Sequence, residues 1–344
     1  MKSSGAERTP AVALSNNGQS ELSGGAMTAA SVVVATCNRP VELSGCLRSL
    51  LAQTHPPSLV VVVDDVPGGE LTPAIVARYG RSGPVRYVEG PRLGLAAAHN
   101  RGLREVTTPL VAFTDDDVVT DEHWLQRLVE AFASAPDVGC VTGKIVAYEL
   151  ATRAQVLLEG YAGFDKGASR CVFDLGTNRP ADPLFPFAAG KLGSGANMAF
   201  ARAALIDQGG FDPALGAGTR AMGGDDLAAF FEVLQRGYSL VYEPKAVVRH
   251  RHPRDVGVLK RQVYGYGVGL TAYLTKCVLD RPRLLGSATR RLPAAASYVF
   301  SAASSKNARL PAGYPPELLR LERLGMLTGP FAYVASRRRV ARAT

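Results

Sequence analysis

The feature that most limits the fold of this chain is an alternation of short apolar strands with amphipathic helices, which begins at Ser31. We predict strands at 31–36, 59–64, 85–89 and 110–114, and helices at 40–53, 71–79, 95–106 and 121–133. A strand that is apolar at every position is buried on both faces, which is typical of a parallel sheet covered by helices on both sides. The alternation therefore predicts an α/β fold that binds ligands beyond the carboxyl ends of its strands.

The remainder of the chain departs from this alternation. Residues 1–28 are rich in Ser, Gly and Ala without periodicity, which predicts a disordered leader. The stretch 147–200 is rich in Gly and Pro and is expected to be irregular until a loop and strand at 190–200. Beyond it we expect helices from Arg202 and from Asp225 to Gly237, short strands at 240–242 and 246–250, and helices at 256–279, 284–304 and 315–338.

Charge is distributed unevenly along the 344 residues. Residues 241–344 hold 19 Lys and Arg against 5 Asp and Glu, a net charge of +14, so the first 240 residues carry −5 of the total of +9. A basic region beside a nearly neutral body predicts an anionic partner such as membrane lipid, a phosphate-bearing acceptor or nucleic acid. An ordinary solvated basic surface is an equal alternative.

The cysteines and the apolar runs bear on location. The five cysteines show no CxxC spacing, which disfavours a zinc site or a disulfide framework and favours a reducing compartment. The sequence contains no run of about 18 apolar residues, so no helix that spans a membrane is predicted. We therefore expect a cytoplasmic protein, with peripheral contact to the cytoplasmic face of the membrane as a further option.

Carboxylates follow two of the predicted strands directly. Asp115, Asp116 and Asp117 come after the strand 110–114, where their mutual repulsion would be relieved by a hard divalent cation. The alternative is a solvated turn. Asp64 and Asp65 end the second strand, where a carboxylate could accept hydrogen bonds from a base or a ribose, or could simply build a turn.

Two further positions could carry chemistry. Asp225 and Asp226 open a helix, where one carboxylate could act as a general base or both could complement the helix dipole. His250 ends a short strand and could be a metal ligand, a phosphate contact or a surface residue. Each of these patterns is weak alone, and their order along the chain is the stronger signal.

In that order, seven segments resemble the family 2 glycosyltransferases, which have the GT-A fold. The segments are VVVATCNRP, VVVVDD, GLAAAHNRG, FTDDD, GSGANMAF, GGFD and GGDDLAAFFEVLQRGYSLVYEP. The resemblance covers residues 30–252. It implies a GT-A domain at 29–252, with a mostly parallel central sheet and helices on both faces, followed by a basic helical C-terminal region at 253–344.

The resemblance also implies a role for each matching residue. The positions that match the nucleotide-sugar donor site are Ala35, Thr36, Asn38, Asp65, Asn100, Asp115 and Asp116. The positions that match the acceptor side are Gly195, Ala196 and Asn197, and those that match a Mn²⁺ or Mg²⁺ site are Asp117, Asp115 and His250. Asp226 matches the catalytic base, with Asp225 as the second choice.

The sequence departs from the family pattern at three places. Cys37 stands where tyrosine is common, and His99 stands where arginine is common, which puts one phosphate contact in doubt. Gln262 is followed by Val-Tyr-Gly-Tyr, not by the QxxRW pattern of processive synthases. The resemblance therefore implies inverting transfer of a single sugar, usually from a UDP-sugar, to a hydroxyl of a glycan, a lipid-linked acceptor or a small molecule such as a secondary metabolite.

Other functions remain open at this point. A sugar-nucleotide nucleotidylyltransferase would need a Gly-rich loop with Arg and Lys after the first strand, and TCNRPVEL lacks one. A non-catalytic protein that binds nucleotide sugars or nucleic acid is the second alternative, although no nucleic-acid motif is recognised and nucleic acid is not an expected partner. The C-terminal helices are expected either to rest on an anionic membrane surface or to form an ordinary helical cap.

Overall fold

A computed structural model describes residues 28–135 and 137–343, so the predicted leader lies outside the described residues except for its last position. The strands are β1 (Ala30–Thr36), β2 (Val60–Asp64), β3 (Val85–Glu89), β4 (Leu110–Asp115), β5 (Val118–Thr120), β6 (Val138–Ala147), β7 (Cys171–Phe173), β8 (Asn197–Ala201) and β9 (Ser239–His250). The α-helices are α1 (Pro40–Leu51), α2 (Leu71–Gly80), α3 (Leu95–Leu103), α4 (Trp124–Phe132), α5 (Arg153–Ala162), α6 (Arg202–Asp207), α7 (Asp225–Gln235), α8 (Val256–Asp280), α9 (Leu285–Thr289), α10 (Leu292–Phe300) and α11 (Pro316–Ala343).

The strands form one sheet in the order β3-β2-β1-β4-β8-β6-β9-β5, with β7 paired to β9. Strands β1, β2, β3, β4, β6 and β9 run in one direction, whereas β5, β7 and β8 run against them. The predicted α/β fold with a mostly parallel sheet is therefore confirmed. The antiparallel β8 lies between β4 and β6, so the sheet continues beyond the four strands predicted at the start of the chain.

The central strands are buried on both faces because alternate side chains enter different cores. In β1, Val32 and Val34 pack with residues of α1 and α4, whereas Val33 packs with residues of α3 and α7 on the opposite face. All three valines are fully buried. Burying one such side chain contributes roughly 1.5–3 kcal/mol, which explains why the strand shows an unbroken apolar run.

Strands β5, β6 and β7 and helix α5 occur where no element was predicted. Strand β6 was not predicted, because Gly139, Gly143 and Lys144 interrupt its apolar pattern. Helix α5 occupies part of the stretch that was expected to be irregular. It begins with a capping box in which the Thr152 side chain accepts from the Gln155 backbone and the Gln155 side chain reaches back to Thr152.

Other predicted boundaries shift. The two short strands expected near residues 240 and 250 are one strand, β9, with an irregularity opposite Gly143 and Lys144. Asp121 does not cap α4 directly, because that helix begins at Trp124 and Asp121 accepts instead from the backbone of His123 at 3.1 Å. The helix expected at 284–304 is divided into α9 and α10.

The C-terminal helices share the core of the sheet. Tyr273 and Cys277 of α8 and Tyr333 of α11 belong to the same buried cluster as β1 and β4. Helices α8 and α11 lie against each other, and a Cβ at Gly267 or Gly325 would collide with backbone of the opposite helix. In the described residues, no helix is both long enough and apolar enough to cross a bilayer.

Asn197 joins three parts of the fold from the start of β8. Its Oδ1 accepts from the indole of Trp124 at 2.8 Å, and its Nδ2 donates to the carbonyls of Lys144 at 2.9 Å and Ala246 at 2.8 Å. The side chain is fully buried. Although the resemblance placed Asn197 beside the acceptor, the structure puts its amide inside the sheet, where it links β8 to β6, β9 and α4.

We predict that Asn197→Ala lowers the free energy of unfolding by about 3 kcal/mol, because buried polar groups lose their partners. Urea unfolding followed by circular dichroism measures the change. Asn178→Ala is the matched control, since Asn178 is exposed and should cost under about 1 kcal/mol. Wild-type stability in Asn197→Ala would contradict a role in joining the strands.

Candidate active site

The carboxyl ends of β1, β2 and β4 open into a cleft of about 1750 Å³. Residues of α7, α8 and α10 and of the segment 184–196 also line this cleft. The residues of the sequence analysis that line it together are Ala35, Thr36, Asp65, Asp115, Asp116, Asp117, Gly195, Ala196, Asp225, Asp226 and His250. The cleft therefore brings the aspartates after β4 to the same space as the aspartates that open α7.

Asp115, Asp117 and His250 form one cluster in this cleft. One ligand atom from each residue lies within 4.8 Å of the others. His250 Nε2 is 3.2 Å from Asp117 Oδ1 and 4.0 Å from Asp115 Oδ2. The pairing of β5 with β9 produces this proximity, because Val118 lies opposite His250 and the backbone of Arg251 donates to the carbonyl of Asp117.

The electrostatics of the cluster favour a cation. Burial and the charge of Asp117 raise the pKa of Asp115. Burial also acts to raise the pKa of Asp117, but the hydrogen bond and charge of His250 hold it below its ordinary value. Two carboxylate oxygens and an imidazole nitrogen form a donor set that fits Mn²⁺, and the carboxylates alone fit Mg²⁺. The three side chains are therefore the described residues best placed to hold a divalent ion.

Asp116 and Arg39 form a second set of contacts beside the cluster. The Thr36 hydroxyl donates to Asp116 Oδ2 at 2.8 Å, and Arg39 Nη1 lies 3.2 Å from Asp116 Oδ1 and 2.6 Å from Asp117 Oδ2. The carboxylate of Asp116 is thus bound by Thr36 and Arg39 and is not directed at the proposed metal ion. Arg39 was not among the predicted site residues, although a cationic side chain shortly after an apolar strand is a signal that could have identified it.

Asp225 and Asp226 enter the cleft at the start of α7. The residue before them, Gly224, has a φ of +85°, and a Cβ there would lie 2.5 Å from the carbonyl oxygen of Gly269 in α8. A glycine therefore allows this turn and the close approach of the two helices. The turn places the carboxylates opposite the loop that contains Gly195.

The two carboxylates have different surroundings. Asp226 accepts from the backbone N–H groups of Gly195 and Leu227, each at 2.8 Å, whereas Asp225 Oδ2 lies 3.9 Å from His99 Nδ1. Burial raises the pKa of both, and the charge of Asp226 raises the pKa of Asp225 further. The backbone N–H bonds oppose the rise for Asp226. Asp226 is therefore the member that ionises more readily.

Besides Asn197, the predicted or questioned positions Asn38, Asn100 and His99 lie outside the lining of the cleft. Asn38 is exposed in the turn after β1, and Asn100 is bonded to the backbone of Phe211 through both ends of its amide, at 2.7 and 2.8 Å. His99 lies between the rings of Phe113 and Phe211, and burial lowers its pKa to about 3. The histidine at the position where arginine is common in the family is thus a neutral core residue.

His252 and Glu159 extend the cluster behind His250. His250 Nδ1 is 3.2 Å from His252 Nδ1, and His252 Nε2 is 2.7 Å from Glu159 Oε2. The His252 side chain is fully buried. If a metal ion were bound at Nε2 of His250, every ring nitrogen would be satisfied when His250 donates its Nδ1 proton to His252 Nδ1 and His252 donates its Nε2 proton to Glu159. Such partners fix the tautomer and orientation of a metal-binding imidazole.

We predict that Glu159→Gln weakens Mn²⁺ binding about tenfold, because the chain of hydrogen bonds that orients His250 loses its charged acceptor. Isothermal titration calorimetry with Mn²⁺ measures the change without requiring turnover. The control is Glu130→Gln in α4, which pairs with Arg127 and does not touch the histidines. Equal Mn²⁺ affinity in the Glu159 variant and the wild-type protein would remove Glu159 from the site.

Comparison with known proteins identifies the fold. A mannosyltransferase from Pyrobaculum calidifontis, solved with GDP-Man and Mn²⁺, is 21% identical and covers 92% of this chain and 75% of its own, with a TM-score of 0.52. The structure of GalNAc-T7 with UDP, GalNAc and Mn²⁺ is 17% identical, covers 70% of this chain and 48% of its own, and has a TM-score of 0.50. The likeness shows the GT-A fold.

Curated relatives are also glycosyltransferases. The pre-mycofactocin glycosyltransferase of Mycobacterium tuberculosis is 32% identical over 177 residues, which cover 50% of this chain and 33% of that protein. The glucosyl-dolichyl phosphate glucuronosyltransferase of Haloferax volcanii is 25% identical over 230 residues, covering 64% of this chain and 68% of that protein. The chain thus spans about a third of the Mycobacterium protein. The sequence model of glycosyl transferase family 2 matches residues 31–205, which is more than half of the chain, so the protein belongs to that family.

Proposed function

We propose that the protein transfers a single sugar from a nucleotide-diphosphate sugar to an acceptor hydroxyl, with inversion at the anomeric carbon. The observation that carries the proposal is that one cleft holds both the Asp115, Asp117 and His250 cluster and the carboxylate of Asp226. Family membership supports sugar transfer and disfavours nucleotidylyl transfer and binding without catalysis. The cleft also exceeds the roughly 300–1,000 Å³ typical of a pocket for one ligand, so it has room for a donor and an acceptor.

We propose that the donor nucleotide lies over the ends of β1 and β2. Ala35, Thr36 and Asp65 line this part of the cleft. Asp65 Oδ2 accepts from the backbone of Gly94 at 2.8 Å, whereas its Oδ1 is buried and has no hydrogen-bond partner among the described residues. A buried acceptor without a partner is costly, and the N–H of a uracil base would satisfy it. Thermal shift with UDP, GDP and dTDP in the presence of Mn²⁺ would rank the bases.

The chemistry then follows from where charge develops. A divalent ion bound by Asp115, Asp117 and His250 would supply positive charge to the diphosphate. Asp226 accepts the proton of the acceptor hydroxyl while that oxygen bonds to the anomeric carbon. The bond from this carbon to the diphosphate oxygen breaks, and its electron pair leaves with the nucleoside diphosphate. Because attack and departure occur on opposite faces, one displacement inverts the configuration.

Asp226→Asn should lower the transfer rate by about 10²- to 10⁴-fold, because the amide cannot accept the proton, while donor affinity is unchanged. Release of nucleoside diphosphate measures the rate, and thermal shift measures donor binding. Asp207→Asn is the control, since Asp207 is exposed at the end of α6 and pairs with Arg236. Near wild-type turnover in the Asp226 variant would show that another group is the base.

Exhaustive treatment with EDTA should abolish transfer, and addition of Mn²⁺ or Mg²⁺ should restore it, because the diphosphate would otherwise meet two repelling carboxylates. The same assay should show that Asp117→Asn needs a higher metal concentration for half-maximal rate. Full activity of the chelated wild-type protein would exclude a divalent ion from the reaction.

We propose that the acceptor is a glycan, a lipid-linked molecule or a small molecule used in glycan or cell-envelope biosynthesis. The name of the Haloferax relative, which includes a dolichyl phosphate, supports a lipid-linked acceptor. Contact of the basic C-terminal region with an anionic membrane, from the cytoplasmic side, stays a prediction. Flotation with anionic and neutral liposomes tests it, and absence of binding to both would refute it.

A further inference from the structure

The cleft has an apolar half that the proposed donor does not use. Several elements contribute to it, namely the segment 184–188, α7, α8 and α10. We call this space the apolar chamber, and its lining includes Leu184, Phe187, Leu227, Leu270, Leu274 and Val299. Leu227 directly follows the proposed base, so the chamber begins beside the position where the acceptor hydroxyl must lie.

Helix α10 forms one side of the chamber. Its sequence, LPAAASYVF, contains no charged residue, yet none of its side chains is fully buried by the protein. Leu292, Ala295 and Val299 are three and four positions apart, so they share a face, and that face lines the cleft. A helix normally buries such a face. A long apolar ligand in the chamber would cover it.

Two cations, Lys166 and Arg309, line the same cleft as the apolar chamber and Asp226. Lys166 donates to the carbonyl of Gly163 at 2.8 Å, and Arg309 donates to the carbonyl of Tyr161 at 3.4 Å. In the described residues neither cation makes an ion pair with a carboxylate. Their neighbours Lys191 and Lys306 differ in this respect, because these pair with Asp182 and Glu322.

The carbonyls of Tyr161 and Gly163, at the end of α5, do not neutralise the two cations. The end of α5 carries only about half an elementary negative charge, against two full positive charges. Burial and the charge of Arg309 lower the pKa of Lys166 to about 8, with Asp226 among the charges that act on it. The charge of Asp226 acts on Lys166 in the opposite direction, and both side chains line the same cleft, so this cation lies near the proposed base.

We propose that the acceptor is an anionic amphiphile. Its apolar body lies in the apolar chamber, its phosphate or carboxylate binds Lys166 and Arg309, and its hydroxyl reaches Asp226. This inference rests on the proposed function, because it assigns the substrate class of the same cleft. It explains together why an apolar wall, two cations without carboxylate partners and a carboxylate base meet in one place.

The binding of simple probes tests the proposal without turnover. Dodecyl phosphate, dodecanoate, dodecyl maltoside and inorganic phosphate are titrated into the full chain, each below its micelle concentration, and calorimetry gives the dissociation constants. We expect dodecyl phosphate or dodecanoate to bind at least about tenfold more tightly than dodecyl maltoside, and inorganic phosphate to bind more weakly than dodecyl phosphate. The better of the two anionic probes identifies the acidic group. Equal affinity for the charged and neutral amphiphiles would overturn the proposal.

Substitutions separate the cations from the apolar wall. Lys166→Gln and Arg309→Gln should each reduce the preference for the anionic head group about tenfold and leave binding of dodecyl maltoside unchanged. Arg283→Gln, an exposed arginine of the segment after α8, is the matched control and should have no effect. Unchanged affinity for the preferred anionic probe in both cleft variants would remove the two cations from the site.

Adjacent positions of α10 test the chamber. Ala295 lines the cleft and Ala296 does not. We expect Ala295→Asp to weaken binding of all three amphiphiles at least about tenfold, because the carboxylate enters the apolar space, while Ala296→Asp binds like the wild-type protein. Equal effects at the two positions would contradict the chamber.

A control on the donor keeps the two proposals distinct. Binding of UDP with Mn²⁺ and slow hydrolysis of a UDP-sugar are measured on the same preparations. Donor binding and hydrolysis without a preference for anionic amphiphiles would overturn the inference and leave the proposed function intact. Failure of every nucleotide to bind would instead count against the proposed function.

Discussion

Repulsion among carboxylates gathered at the ends of buried strands is the constraint on which the site depends. The contacts that offset this repulsion differ among the three aspartates at the end of β4. Asp116 is held by Thr36 and Arg39, whereas Asp115 and Asp117 lie beside His250, and Asp117 also contacts Arg39. Concentrating negative charge is unfavourable unless positive charge arrives. A cation bound at this end of the sheet would therefore relieve the repulsion that the fold creates there.

The antiparallel additions to the sheet make this arrangement possible. Strand β8 extends the parallel core to β6 and β9, and β5 then returns along β9. His250 thereby reaches the aspartates that precede it by more than a hundred residues. His252, two positions further on, contacts Glu159 of α5, so the orientation of one imidazole depends on pairing between distant segments. The scaffold thus sets the geometry of the cluster.

The sequence predicted the elements whose pattern reflects burial. Strands β1, β2 and β4 are largely apolar because both of their faces are covered, and the residues after them could be placed at one edge of the sheet. Strand β6 escaped prediction because glycines and a lysine interrupt it. The contact of His252 with Glu159 could not be predicted, because it arises only when β9 and α5 meet. Asn197 matched a family motif by position, but the direction of its side chain depends on Trp124 and on the neighbouring strands.

The glycine contacts between α8 and α11 have a consequence for how acceptor preference can change. Helices that touch through glycine backbones cannot separate or slide without losing close packing. Helices α8 and α11 therefore keep a fixed position relative to each other. Helix α10 is less restricted, because all of its side chains are at least partly exposed. If the acceptor occupies the apolar chamber as proposed, substitutions in α10 change which molecules bind while the carboxylates stay in place, which makes this short segment an exchangeable module for redesign.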